Sequence, residues 1–318
     1  CNEYDLSGTE HTEVFLLDPS VLVDILFVVD NSPSMVQEHQ KVANGFANFI
    51  LEVNESQSDW HIGVTTTDME TNAGGVLLGP DPTFISPETD NYESLFLAKI
   101  ATVGTNGSGW EKGLQAARRA LFDSPAGVSD TANVGFQRDD ADLAIVVISD
   151  ENDCSDEGAL PHEDQEECYT SNDLLEPLTS YIQAFEGLKS DEQEVTFSAI
   201  VGPPVVDGCD DTKPGHRYLS VATELEGLKA SICEADYAGI MADLGLTATG
   251  VQYFFPLQWT PDVDTLEISV DDVDVPPDPD EANGWSYRSE ENTVYLWGSH
   301  TPPRGSTVTI HYWTAQDN

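Results

Sequence analysis

The chain has 318 residues, 58 acids against 12 bases, a net charge of −46 and 39% apolar residues. So acidic a surface excludes nucleic-acid and anionic-membrane binding, which need Lys and Arg, and the apolar share excludes a disordered acidic tail. No stretch approaches the ~20 apolar residues of a membrane-spanning helix, and acidity spread along the whole chain reads as surface adaptation to salt or calcium-rich water, favouring cations and basic partners.

In chain order, residues 1–20 read as a polar tether followed by a short extended piece around Val14–Leu17. Residues 23–29 are the first predicted sheet strand, and its stretch Ile25–Val29 is continuous in Val, Ile, Leu and Phe, as a parallel strand covered on both faces should be. The segment 33–54 carries Val42, Phe46, Phe49, Ile50 and Val53 on one helical face. Trp60–Thr67 is the next predicted strand, and Gly74–Gly79 a short edge strand or hairpin arm bounded by Gly and Pro. A helix is expected over 91–102, with Leu95, Phe96 and Ile100 inward. A Gly-rich loop, Gly104–Gly109, then feeds a helix with Trp110, Leu114, Ala117 and Leu121 on one side. Ala144–Asp150 and Glu194–Val201 are further buried strands, alternating with helices near 172–188 and 218–232.

This alternation predicts an α/β fold, a doubly wound, mainly parallel sheet between helical layers, over residues 21–250. After Gly250 the period changes to two: Leu266, Ile268 and Val270, then Val294 and Leu296, then Val308, Ile310 and Tyr312. Residues 251–318 are therefore expected to form a small all-β sandwich domain.

The strand ending at Val29 runs straight into Asp30-Asn31-Ser32-Pro33-Ser34. A carboxylate and two hydroxyls two residues apart leave the carboxyl end of a buried strand together, where open α/β sheets bind ligands. Hard oxygen donors suit a hard divalent cation. Ser32 or Ser34 could instead simply cap the following helix. The strand at 144–149 also ends in a carboxylate, Asp150. Beside it Glu151, Asp153 and Asp156 are either a neighbouring calcium site or, more simply, an exposed acidic loop. The acidic runs near Asp271 and Asp278 lack the order of an EF-hand loop, and no Gly-x-Ser-x-Gly elbow, Walker loop or dinucleotide fingerprint occurs.

Of five cysteines, Cys1, Cys154, Cys168, Cys209 and Cys233, locality pairs Cys154 with Cys168 and Cys209 with Cys233, each closing a modest loop. Zinc is disfavoured by the absence of Cys-x-x-Cys and of His at ligand spacing. Disulfides imply the periplasm or cell surface. Cys1 is left over, as a lipid attachment point, a free thiol or a chain boundary.

Asp30–Ser34, Gly107-Ser108-Gly109-Trp110-Glu111-Lys112-Gly113-Leu114, Ile148–Ser155 and Tyr218–Ala222 together resemble a von Willebrand factor A (vWA) domain of the kind found in secreted bacterial lipoproteins. The tail, with Trp285-Ser286-Tyr287 and Pro302–Ser306, resembles the immunoglobulin-like β-domain appended in such proteins. The resemblance implies a metal-ion-dependent adhesion site with ligands from three loops: Asp30, Ser32 and Ser34; a second-loop hydroxyl, Ser108, with Thr105 as the alternative; and Asp150. The cofactor it implies is a divalent cation, Mg2+ first, with Ca2+ or Mn2+ also fitting. The implied role is binding rather than catalysis: a protein partner presenting an acidic residue, bridged through the cation. A structural subunit of an envelope assembly is the alternative, and a metal-water hydrolase, with Glu151 as the available base, ranks last. A lipid on Cys1 would make the chain an outer-membrane lipoprotein of the bacterial cell envelope, facing periplasm or surface, and Asn2 is not the Asp-type inner-membrane retention signal of that family.

Overall fold

The computed structural model describes residues 9–17, 22–56, 58–71, 73–122, 133–164, 167–190, 193–205, 209, 212–250, 254–303 and 305–314. Cys1, and the lipidation expected of it, lie outside the described residues. The chain divides into two compact units, Val21–Thr249 and a second made of Cys1–Ser20 with Gly250–Asn318.

The extended piece expected near Val14 is part of a longer strand, β1 (Glu10–Leu16), which belongs to the second unit. In the larger unit β2 (Leu22–Val29), β3 (Asp59–Thr66), β4 (Asp142–Ser149), β5 (Val195–Val201) and β6 (Glu226–Ser231) form a parallel sheet in the order β3-β2-β4-β5-β6. Its helices are α1 (Val36–Glu55), α2 (Tyr92–Val103), α3 (Gly113–Leu121), α4 (Glu167–Thr170), α5 (Leu178–Glu186), α6 (His216–Glu224) and α7 (Ala238–Ala248). The doubly wound α/β fold read from the sequence is the fold observed.

Period-two alternation divides the core. Val23, Ile25, Phe27 and Val29 of β2 join Phe46, Phe49, Phe96 and Met241 on one face. Leu26 and Val28 join Leu114, Ala117, Tyr181 and Tyr218 on the other. Both faces being covered explains the unbroken apolar runs Ile25–Val29 of β2 and Leu143–Ile148 of β4.

Four local expectations are corrected. Residues 74–79 form turns, not a strand; the edge of β3 is instead touched by an antiparallel bridge between Ile62 and Ile85. The helix expected over 218–232 ends at Glu224, and the chain enters β6. The helix near 172–188 starts only at Leu178, after a 3-10 turn at Asn172–Leu174. Trp110 precedes α3 and packs beside Cys154 and Cys168.

At the amino end of the sheet the buried Asp24 carboxylate is answered by Arg138, whose Nε donates to it at 2.8 Å. The structure joins Cys154 to Cys168 and Cys209 to Cys233, and these disulfides fit an extracytoplasmic protein.

The second unit is all-β. β7 (Phe254–Pro256), β8 (Glu267–Val270), β9 (Val273–Val275), β10 (Gly284–Arg288), β11 (Thr293–Trp297) and β12 (Thr307–Trp313) join β1 in two antiparallel sheets, β1-β12-β8-β9 and β10-β11-β7. One core, with Phe255, Ile268, Trp285, Val294, Leu296, Val308, Ile310 and Tyr312, is shared by both sheets. That is the sandwich the alternating residues predicted.

Candidate cation site at the sheet switch point

The chain runs from β2 outward to β3 on one side and returns to β4 on the other. Loops leaving β2 and β4 therefore diverge, and the crevice beyond their carboxyl ends is where doubly wound sheets hold ligands. Asp30 and Asp150 are the residues that follow these two strands directly.

Asp30 is fully buried. Its Oδ1 accepts the Ser32 backbone N–H at 2.7 Å, and its Oδ2 accepts the Ser149 hydroxyl at 2.6 Å. From α1, the buried His39 places Nε2 2.7 Å from the Asp30 carbonyl oxygen; burial lowers the His39 pKa, favouring the neutral ring. The Ser32 and Ser34 hydroxyls are 3.0 Å apart, and the Ser34 hydroxyl also lies against the Asp150 carboxylate. Ser32 is buried while Ser34 is exposed, so the cluster reaches solvent on the Ser34 side. The structure thus brings together Asp30, Ser32, Ser34 and Asp150, as the sequence grouped them.

The second loop arrives differently from expectation. Ser108 accepts the Trp110 N–H through Oγ at 3.0 Å and donates its own N–H to Asp68 at 3.2 Å, which occupies it in shaping the loop. Thr105 lies earlier in the loop, half-buried. The oxygen that shares the electrostatic environment of Asp30 and Asp150 belongs to Glu111. Its backbone bridges Asp68 at the end of β3, and its carbonyl accepts the Cys154 N–H at 2.7 Å. That wedges residue 111 of the second loop between the end of β3 and the third loop. Gly107 seats the same loop on the first: its N–H donates to the Asn31 carbonyl at 2.8 Å, and a Cβ there would fall 2.0 Å from the Asn31 amide oxygen. Glu111 stood in the sequence only as part of a motif. The signal that could have found it is a lone acid between Trp110 and the apolar start of α3, where a surface Glu has no exposed face to occupy.

Electrostatically the cluster is unbalanced. Burial, countered by the Ser149 and Ser32 hydrogen bonds and reinforced by Glu151, pushes Asp30 up to about 6. Burial and the Asp30 charge push Asp150 up to about 7. Burial, then Asp30 and Glu151, push Glu111 up to about 10. Among the described residues no Lys, Arg or His pairs with any of these three carboxylates. The contrast with nearby acids is instructive: Asp153 accepts Arg217 Nε at 3.0 Å and the Leu114 N–H at 3.1 Å, and Asp156 meets Lys112 Nζ at 2.8 Å. Those two are structural ties, and both are buried, which corrects the simpler expectation of an exposed acidic loop there.

Buried oxygens left without a hydrogen-bond partner converge on the same strand ends: Asp150 Oδ1, Glu111 Oε1, Asn31 Oδ1, Thr66 Oγ1 and Thr67 Oγ1. Such atoms normally find a donor or an ion, and a set of hard oxygens fits a hard divalent cation. Among the described residues, no three His, Cys, Asp or Glu side chains stand together at ligating spacing. The donor set therefore mixes carboxylates with hydroxyls, and an ion here would reach part of it through water, as Mg2+ commonly does.

No family model matches the chain, and no curated protein does. Among solved structures it is similar to a von Willebrand factor type A protein from Catenulispora acidiphila, at 14% identity over 99% of this chain and 68% of that one, with a TM-score of 0.39. It is also similar to the pilus adhesin SpaC from Lactobacillus rhamnosus GG, at 12% identity over 98% of this chain and 42% of that one, TM-score 0.45. A third is the pilus adhesin RrgA from Streptococcus pneumoniae, at 10% identity over 98% of this chain and 59% of that one, TM-score 0.33. At such identities and TM-scores, these likenesses settle nothing about this chain's role.

Proposed function

We propose that the chain is an extracytoplasmic binding module of vWA type that engages a protein partner through a divalent cation at the switch point. The reading is carried by one observation: buried, unpaired carboxylate oxygens of Asp150 and Glu111 beside Asp30, at the mouth of a parallel sheet. Asp30, Ser32, Ser34 and Asp150 would hold the ion. When bound, it supplies a positively charged point to which a partner's acidic residue can add an oxygen. Mg2+ is the first expectation, with Ca2+ or Mn2+ also compatible with the donors. The proposed role is binding; Glu151, the base a hydrolase would need, accepts a hydrogen bond from the Tyr169 hydroxyl.

Calorimetric titration of chelator-treated protein with Mg2+, Ca2+ and Mn2+ tests this. Saturable binding of at least one ion is the expected result. Heats equal to dilution for all three would remove the reading.

A second reading, an assembly subunit, is favoured by β1. It lies at the edge of its sheet, and Val14 and Leu16 on its outer face are 56% and 79% exposed. An apolar edge strand is a template for another chain. If the protein assembles this way, Leu16→Lys should shift a concentration-dependent oligomer to monomer in light scattering; a monomeric wild type at all concentrations would dismiss it.

A further inference from the structure

We propose that Glu111 is a member of the cation site, supplying the second-loop oxygen in place of a Ser or Thr hydroxyl. The inference rests on the cation-binding reading above and specifies its second loop.

Three observations carry it. Glu111 is only 2% exposed, and its Oε1 has no hydrogen-bond partner. A buried carboxylate oxygen without a donor is costly unless an ion answers it. The charges its carboxylate faces are those of Asp30, Glu151 and Asp150, all acids; no cation of the chain is offered to it among the described residues. Finally, its backbone is fixed on both sides, by the bridge to Asp68 and by the Cys154 N–H, so the side chain is held at the crevice rather than swung there by a mobile loop. Ser108 and Thr105 offer no comparable case: Ser108 Oγ already serves the Trp110 N–H, and neither hydroxyl is among the buried oxygens left unpartnered.

The chemical consequence concerns charge. A carboxylate in the second loop adds a third negative charge beside Asp30 and Asp150, where a hydroxyl would add none, and since the three do not stand together at direct ligating spacing it would act through water. The set then holds a divalent ion more by charge than by close-fitting geometry, and a bridging water can complete the contact from Glu111.

The test is titration of chelator-treated Glu111→Gln with Ca2+ and Mg2+ beside the wild type and Ser108→Ala. Glu111→Gln keeps the shape and loses the charge. It should weaken cation affinity by about 100-fold, the upper range seen when groups supporting a metal ligand are removed, while Ser108→Ala binds as the wild type does. Melting in chelator should show Glu111→Gln folded and no less stable than wild type, since a buried unpaired acid has been removed. Glu111→Thr repeats the test with a smaller side chain should the glutamine variant fold poorly, and it too should bind weakly. Wild-type affinity in a folded Glu111 variant, with loss in Ser108→Ala, would overturn the assignment and leave the cation site standing. Absence of binding in the wild type would overturn both.

Discussion

Asp30→Asn is expected to abolish cation binding and, in chelator at pH 8, to melt a few degrees above the wild type. The opposite signs follow from one geometry. In the folded chain Asp30 is buried and its pKa is pushed up to about 6 by burial, despite the Ser149 and Ser32 hydrogen bonds. A shift of about two units costs roughly 3 kcal/mol once the group is ionised, as an order of magnitude. Asparagine keeps an oxygen for the Ser32 N–H and can donate to Ser149 Oγ, so most of the polar contacts survive. What is removed is the burial penalty on the charge, together with its repulsion with Glu151 and Asp150. A net gain of about 1–2 kcal/mol corresponds to a few degrees in a domain of this size.

The pH profile gives the sign independently. Both Asp30 and Asp150, the latter raised to about 7, bind protons more tightly folded than unfolded. Their contribution is full below the ordinary carboxyl value and is lost as pH climbs through about 6 and 7. Chelated wild type should therefore lose melting temperature from pH 4 to pH 7, less steeply in Asp30→Asn. Added cation at pH 8 should restore stability to the wild type, by about 2.7 kcal/mol at a hundredfold excess over Kd, and leave the variant unmoved. A cation-induced rise that persists in the variant contradicts the site.

Lys99→Met should be the most destabilising single change outside the site, at about 3–5 kcal/mol. Lys99 lies on the buried face of α2 and is fully enclosed. Its Nζ donates to the carbonyls of Leu78, Pro80, Pro82 and Thr83 at 3.3, 3.1, 2.7 and 2.9 Å. One ammonium thus organises the whole 78–83 loop. Burial pulls its pKa down to about 8, opposed by Asp81, so the ion is held at a cost and held because four carbonyls need it. Methionine fills the stem's volume but leaves those carbonyls without donors. Chemical denaturation measures the loss; a change under 1 kcal/mol would mean the loop satisfies itself with water.

Much of the larger unit was legible because its strands are covered on both faces. Ile25–Val29 and Ala144–Ile148 are unbroken apolar runs of strand length, and the structure brings the acids that follow their strands together. The misses share a physical cause. β6 is an edge strand of mixed, half-exposed residues, so no period marks it. α7 is a helix for which no expectation was formed. Gly45 of α1 and Gly245 of α7 are what let the two helices approach, since a Cβ at Gly45 would stand 2.7 Å from Met241 Cγ, and one at Gly245 2.7 Å from the Phe49 carbonyl oxygen. Lys99 was hidden by its type. Its spacing, between Phe96 and Val103 on the inward stripe, was the better guide. Glu111 was hidden likewise: expecting a hydroxyl in the second loop drew attention to Ser108 and away from an acid three residues on. In each case a polar or small residue on a buried face carried more information than the apolar residues around it.

The pairing of β1 with β12 sets an order for folding. The polypeptide that becomes the smaller unit is interrupted by the whole of the larger one, and Thr9 hydrogen-bonds Thr314 across a separation of 305 residues. Of the described strands β1 comes earliest in the chain, and its partner β12 comes last. A pairing of that separation carries a large loop-closure cost until the larger unit between the two has folded. Meanwhile the local α/β segments can already close, and an apolar strand bearing Val14, Phe15 and Leu16 is left unpaired. Refolding yield should therefore fall as protein concentration rises, because the unpaired strand stays open to other chains until the smaller unit closes.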